Sequence, residues 1–100
     1  MKDHNYFVYI MTNKNKTVLY IGVTGDILHR VFEHENGEIP GFTEKYNCHY
    51  LVHYEHFQNI NEAIDREKQL KRWRREKKEQ LISTFNNDWR FLNMHVKDTL

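Results

Sequence analysis

The sequence predicts an α/β domain: a small, mainly antiparallel three-stranded sheet flanked by three to four helices. Two runs rich in aromatic and β-branched residues, 6–12 and 17–22, flank the polar turn Asn13-Lys14-Asn15-Lys16, the pattern of a hairpin. A third such run covers 49–57. Apolar residues at helical spacing follow Asp26 and return after Asn61. One hundred residues, 39% hydrophobic and 14% aromatic, suffice for one modest core. They imply one domain over 1–100, with its core at about 5–90, and exclude a multidomain enzyme.

In the hairpin, a four-residue turn sets Thr12 opposite Thr17, and counting back places Tyr9 opposite Tyr20 on the same side of the sheet. The chain then runs from Tyr20-Ile21-Gly22 through a glycine-bounded turn to Asp26, a good N-cap for a helix starting near Ile27. Ile27, Leu28, Val31 and Phe32 share one face of that helix, and Gly37 is placed to stop it. Arg30 and His34, four residues apart, flank the buried face. A phenol, a guanidinium and an imidazole so placed suit an anionic substrate. Taken alone, a core tyrosine with a surface arginine and histidine is the more ordinary outcome.

Residues 36–47, with Gly37, Pro40 and Gly41, read as a loop over the mouth of this site. Phe42, Thr43, Lys45 and Tyr46 give the loop nucleotide-binding character, although the two rings would equally tuck it onto the core. In the third strand His49 and His53 share a face and His56 points oppositely, a poor set of converging zinc ligands. Asn61 reads as the N-cap of the next helix, whose apolar stripe is Ile60, Ala63, Ile64, Leu70 and Trp73. That stripe needs a buried residue at 67, where the chain has Glu67. A carboxylate drawn toward an apolar stripe costs several kcal/mol unless it is paired or holds a metal. The pairing would be to Arg30 or to a basic neighbour. Residues 74–85 form a further helix docked by Leu81, Ile82 and Phe85. Asn86-Asn87-Asp88 is a turn, and Trp89, Leu92 and Val96 belong to a short final helix with a frayed tail.

The net charge of +1 hides an asymmetry. From Arg66 to Lys78 eight basic residues stand against two acidic ones, a local +6 that leaves −5 for the rest. This is either a solvated helix face or one surface for a nucleic-acid backbone. The single cysteine, Cys48, excludes an intramolecular disulfide and a cysteine-only zinc site. With no apolar run near the roughly 20 residues that span a bilayer and no signal-peptide pattern in Met1-Lys2-Asp3-His4-Asn5, a cytoplasmic protein without membrane contact is expected.

Phe7-Val8-Tyr9 and Tyr20-Ile21-Gly22 resemble the two motifs of the GIY-YIG nuclease domain, the second letter for letter. Arg30 stands where that family has its helical arginine, His34 where many members have a histidine or tyrosine, and Glu67 where they have a metal-binding glutamate. The resemblance covers about residues 5–90 and is closest to small bacterial single-domain members. It implies a metal-dependent endonuclease hydrolysing phosphodiester bonds, DNA ahead of RNA, in a repair or processing role. Tyr9, Tyr20, Arg30, His34 and Glu67 would be its catalytic residues, Glu67 holding one Mg²⁺ or Mn²⁺ ion, and His34 receiving a proton from Tyr20. Lys45, Lys68, Lys71, Arg72, Arg74 and Arg75 would bind the nucleic acid, and a protein partner would supply substrate choice. Val23 replaces a lysine of some members, and the family's helper asparagine has only Asn86 and Asn87 as candidates by type. The rival class is a non-catalytic nucleic-acid-binding or adaptor module on the same fold.

Overall fold

A computed structural model describes residues 4–100; Met1-Lys2-Asp3, part of the run without a signal-peptide pattern, lies outside them. The strands are β1 (Tyr6–Thr12), β2 (Leu19–Thr24) and β3 (Tyr50–Phe57), and the helices α1 (Ile27–Glu35), α2 (Phe42–Tyr46), α3 (Ile60–Arg72), α4 (Arg75–Phe85) and α5 (Asn93–Thr99). The three-stranded antiparallel sheet is as predicted, and its strand order is β2-β1-β3. Of the five helices, four were legible, and α2 lies in the segment read as a loop.

Both faces of the sheet are covered. Tyr9 and Met11 of β1 pack with Ile27 and Val31 of α1 and Val96 of α5, while Val8 and Ile10 pack with Ala63 and Leu70 of α3 and Ile82 of α4. This is why β1 is buried from Phe7 to Thr12 without alternation, as a strand with helices on both sides must be.

The hairpin register differs from the expected one: Thr12 faces Leu19, and Tyr9 faces Gly22. The loop is longer because the Asn13 side chain accepts from Thr17 N at 2.8 Å and Val18 N at 3.1 Å, and Thr12 Oγ1 donates to Val18 O at 2.7 Å. These bonds close residues 13–18 before the ladder starts. The slip is two residues, and side chains alternate with period two, so Tyr9 and Tyr20 still share a face.

At the β2–α1 corner Asp26 caps as predicted, accepting from His29 N, and Thr24 Oγ1 accepts from Asp26 N. The buried positions of α1 are Ile27, Val31 and His34, and Phe32, expected inside, is 54% exposed. Helix α3 is capped by Asn59, not Asn61, because the Asn59 carboxamide accepts from both Asn61 N and Glu62 N. The final helix begins at Asn93, and Trp89 lies outside it at φ 52° with Nε1 donating to Ser83 Oγ. A bulge opposite Ile10/Met11 puts Leu51 and Tyr54 on the Tyr9 side, with Val52 on the other. The extra residue separates His49 from His53, expected on one face: His49 meets the His34 carbonyl on the α1 side and His53 bonds Glu55 on the α3 side, while His56, packed on Phe7, points oppositely to His53 as expected.

A candidate active site at the edge of the sheet

Tyr9, fully buried, lies across Gly22 on the neighbouring strand. A Cβ at Gly22 would stand 2.5 Å from Tyr9 Oη and 2.6 Å from Cζ, so the glycine is there for space and not for backbone freedom. The phenol is therefore pressed into a fixed position. Arg30 Nη1 donates to Tyr9 Oη at 3.4 Å, and the phenol meets His34 Nε2 at 3.1 Å. His34 Nδ1 lies 3.2 Å from the Cys48 carbonyl.

These contacts have a direction. A carbonyl oxygen only accepts, so Nδ1 carries the His34 proton. Burial holds the imidazole pKa down to about 4, so the ring is neutral and Nε2 is an acceptor. Tyr9 must then donate to His34, which leaves its oxygen to accept from Arg30. Burial drives the Tyr9 pKa well above its ordinary value, against the pull of Arg30. Tyr9 is thus a protonated strut between the two helical side chains. His34 is 1% exposed and its only acceptor is already taken. Direct receipt of a proton from Tyr20, expected from the sequence, does not fit this geometry.

Tyr20 is less buried. Its ring lies 6.3 Å from that of Tyr9, 5.6 Å from His34 and 6.1 Å from Phe42, and its hydroxyl makes no hydrogen bond among the described residues. The Arg30 side chain is 32% exposed, although its Nε is buried. That Nε is 3.2 Å from Glu33 Oε1 but misaligned for a hydrogen bond, while Nη2 has no partner among the described residues and is the end left for a ligand.

Glu67 comes from the opposite layer. Its side chain is 16% exposed and pairs with Lys71 at 3.5 Å, one of the two outcomes left open by its place in the stripe. Although α3 packs on the other face, the Glu67 charge adds a minor contribution to raising the Tyr9 pKa, after burial and the Arg30 and Tyr20 effects. At the β2 edge the two layers meet in one concavity, lined by Tyr20 and Phe42 from one layer and Lys71 and Lys78 from the other. Among the described residues no three His, Cys, Asp or Glu side chains cluster to form a metal cage. A single carboxylate still suits Mg²⁺ or Mn²⁺, which take one or two carboxylates and draw their other ligands from substrate phosphate and water.

The sequence-predicted basic residues separate into two groups. Lys45, Lys68, Lys71, Arg72 and Arg74 are exposed, and Lys68, Lys71 and Arg72 border a common depression on α3. Arg75 is spent elsewhere, its guanidinium bonding the carbonyls of Thr17 at 2.6 Å and Lys16 at 3.1 Å and the Glu79 carboxylate at 3.1 Å. It ties α4 to the hairpin loop with three of its five N–H donors. Arg66 is likewise held by Glu55 at 2.8 Å. Asn86, one candidate helper, bonds the carbonyls of Val52 and Arg90 and so secures the α4–α5 connection to β3. Asn87 is exposed. A cavity of about 570 Å³ between α1 and β3, walled by Phe7, Ile27 and Tyr54, contains none of the predicted site residues. The residue that sequence reasoning left without a role is Gly22. Its signal was present, since a glycine inside a strand marks close approach of another group.

A three-stranded sheet with tyrosines from adjacent strands beside a helical arginine is the arrangement that the resemblance in the sequence implied. The chain matches the GIY-YIG catalytic domain over residues 5–80 and belongs to that family, a family of nucleases. It is 41% identical over 81 residues to a UPF0213 protein of Haloquadratum walsbyi, covering 81% of this chain and 89% of the relative. A UPF0213 protein of Bacillus pumilus aligns over 97% of this chain and 98% of its own length at 28% identity. The solution NMR structure of a UPF0213 protein from Bacillus halodurans superimposes with a TM-score of 0.52 at 34% identity, covering 80% of this chain and 84% of that one.

Proposed function

We propose that this protein is a metal-dependent endonuclease that hydrolyses phosphodiester bonds in nucleic acid, DNA ahead of RNA, in repair or processing. The observation that carries the reading is the bond series from Arg30 through Tyr9 to His34 and the Cys48 carbonyl, which holds a partly exposed arginine side chain beside the tyrosine pair. Arg30 receives the scissile phosphate with the N–H groups at its Nη end and stabilises the charge that grows on the phosphoryl oxygens. Tyr9 and His34 position that arginine and do not exchange protons with the substrate. Tyr20, whose hydroxyl is uncommitted, orients the attacking water. Glu67 holds the divalent ion, which when bound neutralises the phosphate and the leaving oxygen. Lys68, Lys71 and Arg72 extend the phosphate path along α3. In this reading residues 1–100 act as one domain, and a protein partner supplies substrate choice.

The test is Glu67→Gln, which keeps shape and removes the charge. Mg²⁺-dependent nicking of a plasmid or oligonucleotide is expected from the parent protein and should vanish in the variant, while the fold stays intact. Wild-type turnover by Glu67→Gln would end the assignment.

A further inference from the structure

From Tyr20 outward the rings continue beyond what the proposed chemistry uses. Phe42 stacks on Tyr20 with centroids 6.1 Å apart and planes at 27°, and Tyr46 meets Phe42 at 4.7 Å. Both outer rings are exposed, Phe42 at 44% and Tyr46 at 39%. Rings that tucked a loop onto the core would be covered; these are held out by the helix that carries them. Helix α2 is anchored by its small residue, Thr43, which is 3% exposed and donates to Ile39 O at 2.9 Å. Gly41 at φ 83° and Asn47 at φ 57° turn the chain at either end. Across the β2 edge the facing wall is cationic. Two adjoining concavities of about 270 and 390 Å³, each of small-molecule size, run from Tyr20 past Phe42 to Tyr46, with Lys71 and Lys78 opposite. Lys78 has no acidic partner among the described residues.

We infer that this groove binds an unpaired strand of nucleic acid next to the scissile phosphate, its bases stacked on Phe42 and Tyr46 and its backbone on Lys71 and Lys78. The inference rests on the nuclease reading for its polarity relative to the site, but its binding chemistry stands separately. Exposed ring faces opposite a row of cations complement a single strand, which offers base faces and phosphates together. A duplex hides its base faces in its own stack and offers only edges and phosphates. The substrate class is therefore single-stranded or locally unpaired nucleic acid.

The experiment is fluorescence anisotropy in EDTA, where turnover cannot occur, with a labelled oligothymidylate and a hairpin duplex of equal length. The single strand should bind more tightly. Phe42→Ala and Tyr46→Ala should each weaken it by about 5- to 150-fold, the ordinary worth of one stacked base, with less effect on the duplex. Phe42→Leu keeps apolar bulk on α2 and should lose affinity as well, which separates stacking from folding. Lys78→Gln should lower the slope of log K against log salt by about 0.7, the release from one single-strand phosphate contact. Wild-type single-strand affinity in Phe42→Leu, or a duplex that binds as tightly and loses as much in the variants, would overturn the inference. Because no step depends on cleavage, an inert protein that still shows ring-dependent binding would refute the enzyme reading and leave this one standing.

Discussion

Gly22→Ala is the smallest change that tests the site, since it adds one methyl group outside the reacting centre. The new Cβ would lie 2.5, 2.6 and 2.9 Å from Tyr9 Oη, Cζ and Cε1. Ordinary carbon contacts begin at about 3.5 Å, so the ring must move by about 1 Å. Tyr9 has nowhere to go, being fully buried in the layer with Val31 and Leu51. A shift of that size breaks or compresses the 3.1 Å bond to His34 and the 3.4 Å bond from Arg30. Overpacking of a tight core costs about 1–3 kcal/mol, and leaving the buried phenol and imidazole unmatched costs about 1–3 more. The expected loss is about 2–6 kcal/mol against a typical total of about 5–15.

Urea denaturation measures it: with a slope of about 1 kcal/mol per molar for a chain this short, the midpoint should fall by about 2 M or more. The decisive control is a double-mutant cycle. In a Tyr9→Leu background the phenol ring is gone, and adding Gly22→Ala should then cost far less. If the alanine costs the same with and without the ring, or shifts the midpoint by under about 0.5 M, Gly22 is not the seat of Tyr9 and the reasoning fails.

Arg30→Lys keeps the charge but loses the planar fork and the bond to Tyr9, so kcat should drop by about 10²-fold or more with nucleic-acid binding retained; near wild-type kcat would show that the fork is not used. His34 predicts a pH dependence. Its folded pKa is about 4 against 6.5 unfolded, so the unfolded chain takes up the proton first as pH falls. The stability it contributes is complete above pH 6.5 and declines by about 3 kcal/mol on the way to pH 4, and His34→Gln should flatten that window in urea melts. Glu55 acts at lower pH: burial alone would raise its pKa, but His53 and Arg66 hold it near 2, so its contribution should persist above 4.5 and fade as pH drops toward 2. Arg75→Gln should cost about 1 kcal/mol of stability and leave the salt slope of binding unchanged, whereas losing Lys68, Lys71 and Arg72 should lower that slope by about 0.7–0.9 for each phosphate contact removed.

Much of this protein was legible in the order of residues, because the signals were local. Period-two and helical patterns, the Asp26 cap and the turn residues need only a few neighbours, so the three strands, four helices and the α1 start followed from them. The shared face of Tyr9 and Tyr20 survived a wrong register for the same reason: a slip of two residues leaves alternation unchanged. The family was readable from two tyrosine motifs, an arginine and a glutamate at set distances.

What needed the folded chain was every outcome decided by a residue far away in sequence. Asn13 lengthened the hairpin loop by bonds that alternation cannot reveal, and the bulge in β3 put His49 and His53 on different faces. His34 looked like a surface neighbour of Arg30, yet the Cys48 carbonyl fourteen residues on fixes its tautomer, and burial keeps it neutral. Arg75 belonged to a basic run by composition, and only the approach of residues 16 and 17, more than fifty positions earlier, turned it into a clamp. Glu67 was an anomaly on its own helix. Its surroundings came from the fold, which leaves it 16% exposed beside Lys71 with its charge acting weakly on a phenol of the other layer, because burial and electrostatics depend on distance in space and not along the chain.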